Sequence, residues 1–138
     1  MAQSLDQNRG TVRRFNEEVW GEGRVELVDE LFSPDFMNHY EAPGTPPGRE
    51  GVRQEVQRVR SMFPDLQIKT EEIICEGDRA ALRWSGTGTH TGDAPGMPAT
   101  GKPVTMSGMH FYRLREGKIA EMWAEFDGAR VMRQLSAP

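Results

Sequence analysis

The chain has a single cysteine, Cys75. No internal disulfide can form, so burial and hydrogen bonding must hold the fold, and a reducing, cytoplasmic setting is expected. Cys75 sits in the apolar run Ile73-Ile74-Cys75, which suits a buried structural thiol better than a nucleophile. Long apolar runs are missing too. Nothing approaches the roughly 20 residues that cross a bilayer, and the opening M-A-Q-S-L-D-Q-N-R-G lacks the apolar core of a signal peptide. Positive charge is not in excess: 17 Lys and Arg face 21 Asp and Glu, for a net charge of −4. That balance argues against nucleic acid as a partner, because no basic stripe is available to neutralise phosphates. Also absent are H-E-x-x-H, C-x-x-C, a P-loop and a G-x-G-x-x-G that follows a strand. The three histidines, at 39, 90 and 110, match no compact ligand spacing. Neither a metal nor an organic cofactor is therefore expected.

What remains is 138 residues of mixed pattern, read as one domain over 1–138. Leu5, Val12, Phe15 and Val19 recur at helical spacing, and Gly21 and Gly23 stop the run. Val25, Val28, Leu31 and Phe32 make a second short helix, ended by Pro34, and residues 35–40 follow as a short strand. The Gly/Pro-rich segment 42–48 reads as a stiff loop. Val52, Val56, Val59 and Phe63 form one stripe of a third helix over 49–63, closed by Pro64. Its charged positions, among them Arg49, Arg53, Arg58 and Arg60, read as a solvated face. After residue 64 the period becomes two, with strands predicted at 66–75, 79–90, 103–115 and 118–127, then a last helix at 129–135. This is an α+β arrangement: helices against one face of a curled antiparallel sheet.

Strand parity sorts the side chains further. Ala80, Leu82, Trp84 and His90 share the buried face of their strand, and His110 shares its face with Met106, Tyr112 and Leu114. If Glu116-Gly117 is a two-residue turn, Arg115 pairs with Lys118, and an unbroken register sets His110 opposite Trp123. Glu121 and Glu125 are then diagonal neighbours of His110, and Asp127 lies farther along the same face. Apolar walls with a few polar anchors are what a small-molecule pocket needs. A carboxylate desolvated there would titrate closer to neutrality and could exchange protons. Simpler roles compete for these residues. His39 suits a loop hydrogen bond, His90 a turn, and Asp127, just before a helix, an N-cap.

Taken together, F-N-E-E-V-W-G-E-G, L-F-S-P-D-F-M-N-H, P-P-G-R-E-G, G-D-R-A-A-L-R-W, the T-G-T-H-T-G…G-M-P-A-T-G-K loop and R-E-G-K-I-A-E-M-W resemble the SnoaL-like polyketide cyclases, or ester cyclases. The resemblance covers nearly the whole chain. It implies the cone-shaped α+β fold of nuclear transport factor 2 and ketosteroid isomerase, with a curved, mostly antiparallel (mixed) sheet against N-terminal helices. It also implies a homodimer and ring closure by intramolecular aldol condensation without metal or organic cofactor. Asn38 and His110 match a pocket asparagine and histidine of the family. The family's acid/base aspartate falls at Ala124 in Glu121-Met122-Trp123-Ala124-Glu125.

The resulting expectation is an enzyme doing cofactor-free acid/base chemistry on a hydrophobic, carbonyl-bearing small molecule. His110 with Asp127 or Glu125 would carry protons. Asn38, His39 and His90 would hydrogen-bond the substrate, and Trp84, Tyr112 and Trp123 would wall it in. Two alternatives stand beside it. One is a non-catalytic binding domain, which the alanine at 124 suggests. The other is an epoxide or lactone hydrolase, which requires Glu121 and Glu125 to point inward around a water.

Overall fold

The computed structural model describes residues 4–40 and 44–138. The expected stiff loop at 42–48 therefore lies partly outside the described residues. Ser4 caps the first helix, its side chain accepting from the Gln7 amide. α1 (Leu5–Arg14) runs straight into a wider, π-type turn over Phe15–Trp20. Such turns are rare and recur at functional sites, because they rotate the side chains that follow. A 3₁₀ turn (Val25–Leu27) leads into α2 (Val28–Leu31), and β1 (Phe32–Asn38) follows at once. Phe32 thus begins a strand where a helix was expected to end, and Pro34 lies within that strand. β1 is an edge strand, where a residue without an N–H does no harm to the ladder.

α3 (Gly48–Met62) precedes β2 (Gln67–Glu76), β3 (Arg79–Thr89), β4 (Pro103–Arg115) and β5 (Lys118–Phe126), and α4 (Gly128–Ser136) closes the chain. The sheet order is β1-β5-β4-β3-β2. β1 is parallel to β5 and every other pairing is antiparallel. The sheet is therefore mixed, as the α+β reading allowed. Its inner face carries the even residues of β3 and β4, and Ala80, Leu82, Trp84, Met106, Tyr112 and Leu114 are all buried there. The helices supply the opposing layer through Val12, Phe15, Val19 and Val56. Phe15 meets Phe32 edge-on at 4.8 Å and Phe32 meets Phe36 at 4.7 Å, contacts worth about 0.5–1.5 kcal/mol each beyond their burial.

The β4–β5 turn is Glu116-Gly117, both with positive φ, which matches the twist of the strands it joins. Arg115 pairs with Lys118 and Leu114 with Ile119, as read from the sequence. Then the register slips: Arg113 pairs with Glu121, leaving Ala120 as the extra residue of a bulge. Ile119 and Ala120 are consecutive and both buried, which regular alternation forbids. Beyond the bulge the faces of β5 are exchanged relative to an unbroken ladder. His110 stands opposite Ala124, and Trp123 stands opposite Phe111.

Candidate active site

A cavity of about 150 Å³ lies between the inner sheet face and the helices. The sheet contributes Trp84, Met106, His110, Met122, Ala124 and Phe126. The first helical segment contributes Phe15, Asn16 and Trp20, and α3 contributes Val52, Glu55, Arg58 and Val59. Asn38 and Tyr40 border the cavity at the end of β1. Most of this wall is apolar.

His110 carries the chemistry of the sheet wall. Its Nδ1 lies 2.7 Å from the hydroxyl of Tyr112, which is fully buried. Burial pushes the Tyr112 phenol well above its usual range, so the hydroxyl keeps its proton. We assign that hydroxyl as the donor to Nδ1, which places the imidazole proton on Nε2. Desolvation also lowers His110 from 6.5 to about 4, leaving the ring neutral at physiological pH. Its ring neighbours are Phe15, Trp84 and Tyr112, none of them a charge. His110 is thus a neutral hydrogen-bond donor at Nε2.

Two asparagines are oriented by their partners. The amide of Tyr40 donates to Asn38 Oδ1 at 2.9 Å, which leaves the Asn38 NH₂ as its remaining donor. Asn16, 1% exposed, donates through Nδ2 to Thr70 Oγ1 at 2.9 Å, and Thr70 in turn donates to Glu17 at 2.8 Å. A carboxylate only accepts, so this chain of bonds fixes which end of the Asn16 amide faces Thr70 and leaves the carbonyl end over. Neither Asn16 nor the α3 pair was singled out by the sequence reading. Glu55 binds Arg58 through two contacts, 2.6 Å to Nη2 and 3.1 Å to Nε, and both residues line the cavity. The solvated-face reading of α3 is corrected at Arg60, which turns inward to the carbonyls of Trp20 and Gly21.

Trp84 is 8% exposed and stacks on Phe126 at 6.1 Å. This depends on Gly108: a Cβ there would lie 2.7 Å from Trp84 Nε1 and 2.7 Å from the Glu125 carbonyl. The indole N–H groups of Trp20 and Trp84 are both buried without a partner.

The remaining predicted site residues lie elsewhere. Because of the bulge, Glu121, Trp123 and Glu125 face away from the cavity. His39 joins them, stacked on Trp123 at 4.5 Å with Nε2 3.0 Å from Glu121, whose other oxygen binds Arg113 at 2.7 Å. These two partners hold the Glu121 carboxyl below its usual range. Asp127 accepts from the Arg130 amide at 3.1 Å as the N-cap of α4. It borders a shallow outer groove with Glu125, Met109 and Arg83. His90 is fully buried, with Nδ1 accepting from the Thr100 amide and facing its hydroxyl, so it ties down the loop before β4. Tyr112 lies behind His110 rather than in the wall. The inward pair of Glu121 and Glu125 that a water-activating hydrolase would need is not formed. No described helix is long and apolar enough to cross a membrane.

Comparison with known proteins agrees with this fold. The SnoaL-like polyketide cyclase family matches residues 10–135. Nogalonic acid methyl ester cyclase from Streptomyces nogalater is 31% identical over 121 residues, covering 84% of this chain and 88% of that protein. Aklanonic acid methyl ester cyclase DnrD from Streptomyces peucetius is 29% identical over 133 residues, covering 92% and 89%. Among solved structures, TsrD from Streptomyces laurentii superposes with a TM-score of 0.86 at 25% identity over 99% of both chains. A SnoaL-like protein from Jannaschia sp. CCS1 gives 0.85 at 27%, over 100% of this chain and 99% of that one. The cavity is thus set in a curved sheet and helical layer shared across these proteins, and the chain belongs to the SnoaL-like polyketide cyclase family.

Proposed function

We propose that this chain catalyses cofactor-free acid/base chemistry on a hydrophobic, carbonyl-bearing small molecule, closing a ring in a substrate of the polyketide ester type. Family membership supports a small-molecule cyclase role. The observation that carries the finer reading is His110: a neutral imidazole, oriented by a buried phenol, offering Nε2–H beside an apolar cavity. A fixed donor in a dry site stabilises the negative charge that develops on a carbonyl oxygen when an adjacent carbon loses its proton. The Asn38 NH₂ is a second donor for a carbonyl. Met106, Trp84 and Phe126 suit the hydrocarbon body of the ligand. His110 acts here as a donor, not as the proton acceptor.

The test uses aklanonic acid methyl ester, a compound in the name of one relative, with ring closure followed by chromatography. His110→Gln is expected to lower kcat by about 100-fold, the usual loss on removing one such donor. Asp127→Asn and Glu125→Gln, outside the cavity, are expected to leave turnover unchanged. Undiminished turnover in His110→Gln would overturn the assignment.

A second reading, a binding domain without catalysis, draws on Ala124: the residue facing His110 across the ladder carries no proton-transferring group. It predicts ligand retention with no product over long incubation. A homodimer through the outer sheet face belongs to the proposal as well. It is supported by the exposed row Ile74, Phe111 and Trp123, which crosses the sheet in register through Ala81.

A further inference from the structure

A cavity that stabilises an enolate oxygen also needs a group to take the proton from carbon. His110 cannot be that group, because its Nδ1 lone pair is held by Tyr112 and its Nε2 already carries a proton. Asp127 caps α4, and Glu121 and Glu125 face outward. Glu17, the carboxylate near Asn16, is engaged by Thr70 and by Arg13 at 3.7 Å and does not line the cavity. One carboxylate remains among the described lining residues: Glu55.

Three observations make Glu55 more than a leftover. It sits on the helical layer, across the cavity from the sheet wall that holds His110. A ligand between the two would have a donor on one side and a carboxylate on the other. The Glu55 side chain is 19% exposed, so it is partly withdrawn from water, and Arg58 holds it by two contacts. Those contacts use one lone pair on each oxygen and leave the second free to accept a proton. They also limit its rotamers, which is the preorganisation a base requires. Among the described residues the Arg58 Nη1 group, by contrast, reaches the Met62 sulfur at 3.7 Å and no oxygen. Arg58 can therefore follow a ligand's oxygen without first breaking a strong bond of its own at Nη1.

We propose that Glu55 is the proton acceptor of this cavity and works opposite His110, in the role that Ala124 cannot fill. The proposal rests on the reaction class given above. Glu55 Oε takes the proton from the carbon between two carbonyls. The C–H electron pair becomes the enolate C=C bond, and the carbonyl π pair moves onto the oxygen held by His110 Nε2–H. The enolate carbon then bonds to the carbon of a second carbonyl in the same molecule, whose π pair becomes an alkoxide. That alkoxide takes the proton back from Glu55. The carboxylate is regenerated, and the product is an isomer of the substrate, with no oxidant or reductant consumed.

The experiment uses the full chain with aklanonic acid methyl ester in deuterated buffer. Exchange at the acidic carbon is followed by mass spectrometry, ring closure by chromatography, and binding by calorimetry. Glu55→Gln is expected to lower both exchange and closure by about 100-fold or more, the low end for loss of a general base, while Kd moves less than about threefold. Glu55→Asp is expected to recover part of the exchange. Because Glu55→Gln leaves Arg58 without its partner, the double variant Glu55→Gln/Arg58→Gln is measured too and should show the same loss with an unchanged melting temperature. Arg58→Gln alone keeps the carboxylate and should lose less than either. Full exchange in Glu55→Gln, with exchange intact in the wild type, overturns the assignment of Glu55 and leaves the proposed function standing. A wild type that binds the ester but neither exchanges nor closes it overturns the proposed function, and this inference with it.

Discussion

The two faces of the β3–β4–β5 sheet are built from interleaved residues and do opposite things. On the inner face, His110, Trp84, Met122 and Ala124 border a mostly apolar cavity in which desolvation keeps the imidazole neutral. On the outer face, Glu121 pairs with Arg113 and contacts His39 beside Trp123 and Phe111. Similar residue types thus line a cavity on one side and build a solvent-facing network on the other. Side chains one position apart on β5 differ in role because Ala120 fixes which parity points inward. The lesson is that composition alone assigns none of these roles: His39 meets a carboxylate, whereas His110 sits among aromatic rings.

The most severe way to break this contrast is to charge the inner face with Met122→Glu. Met122 is 5% exposed, and an unpaired carboxylate desolvated among apolar side chains should cost more than about 4 kcal/mol, read as a lowered melting temperature by circular dichroism. The same carboxylate one position along, in Trp123→Glu on the outer face, should cost much less. Equal losses would mean the bulge does not separate the two faces.

A smaller effect sharpens the charge contrast. The His110 pKa is lowered from 6.5 to about 4, so the unfolded chain binds the extra proton between these values. The sign follows: stability is greatest above 6.5, falls as pH drops through the window, and levels off below about 4. Over that window the loss should approach about 3 kcal/mol, and His110→Gln should lack it. Urea unfolding of both proteins at pH 7 and pH 4.5 measures the difference. Equal pH dependence would contradict a desolvated, neutral His110.

The smallest effect on folding is expected outside. Trp123→Arg should change unfolding free energy at low protein concentration by no more than about 0.5 kcal/mol. It should nevertheless shift the light-scattering mass toward monomer if the outer face joins two copies. A dimer that survives the substitution moves the interface elsewhere.

Much of the fold was legible in the chain because period-two and helical patterns are local. The even-in parity of β3 and β4, the Glu116-Gly117 turn and the α3 stripe follow from neighbouring residues alone. Trp84 and His110 came with them, since a strand's parity assigns its side chains, while Asn38 came from the family resemblance. The bulge was not legible from one strand's turn, because register is a property of two strands. Its signal was present all the same: Ile119 and Ala120 are adjacent and apolar, and Met122, Ala124 and Phe126 then continue on even positions. Missing that slip put Trp123, Glu121 and Glu125 on the wrong face. Glu55 was missed for a different reason. Charged residues on a helix read as solvated, yet its spacing from Val52 and Val59, three and four positions, places it on their stripe. Asn16 lies beside Phe15 where the helix widens, and no simple period marks that turn.

The distribution of the tryptophans gives the molecule an optical property. Two of the three, Trp20 and Trp84, border the cavity, and the third, Trp123, lies on the outer face. Indole emission depends on local polarity and quenching, so light from the inner pair reports what enters the cavity, while light from Trp123 reports what covers the sheet. Removing the outer indole would leave a protein whose intrinsic glow comes only from the chamber.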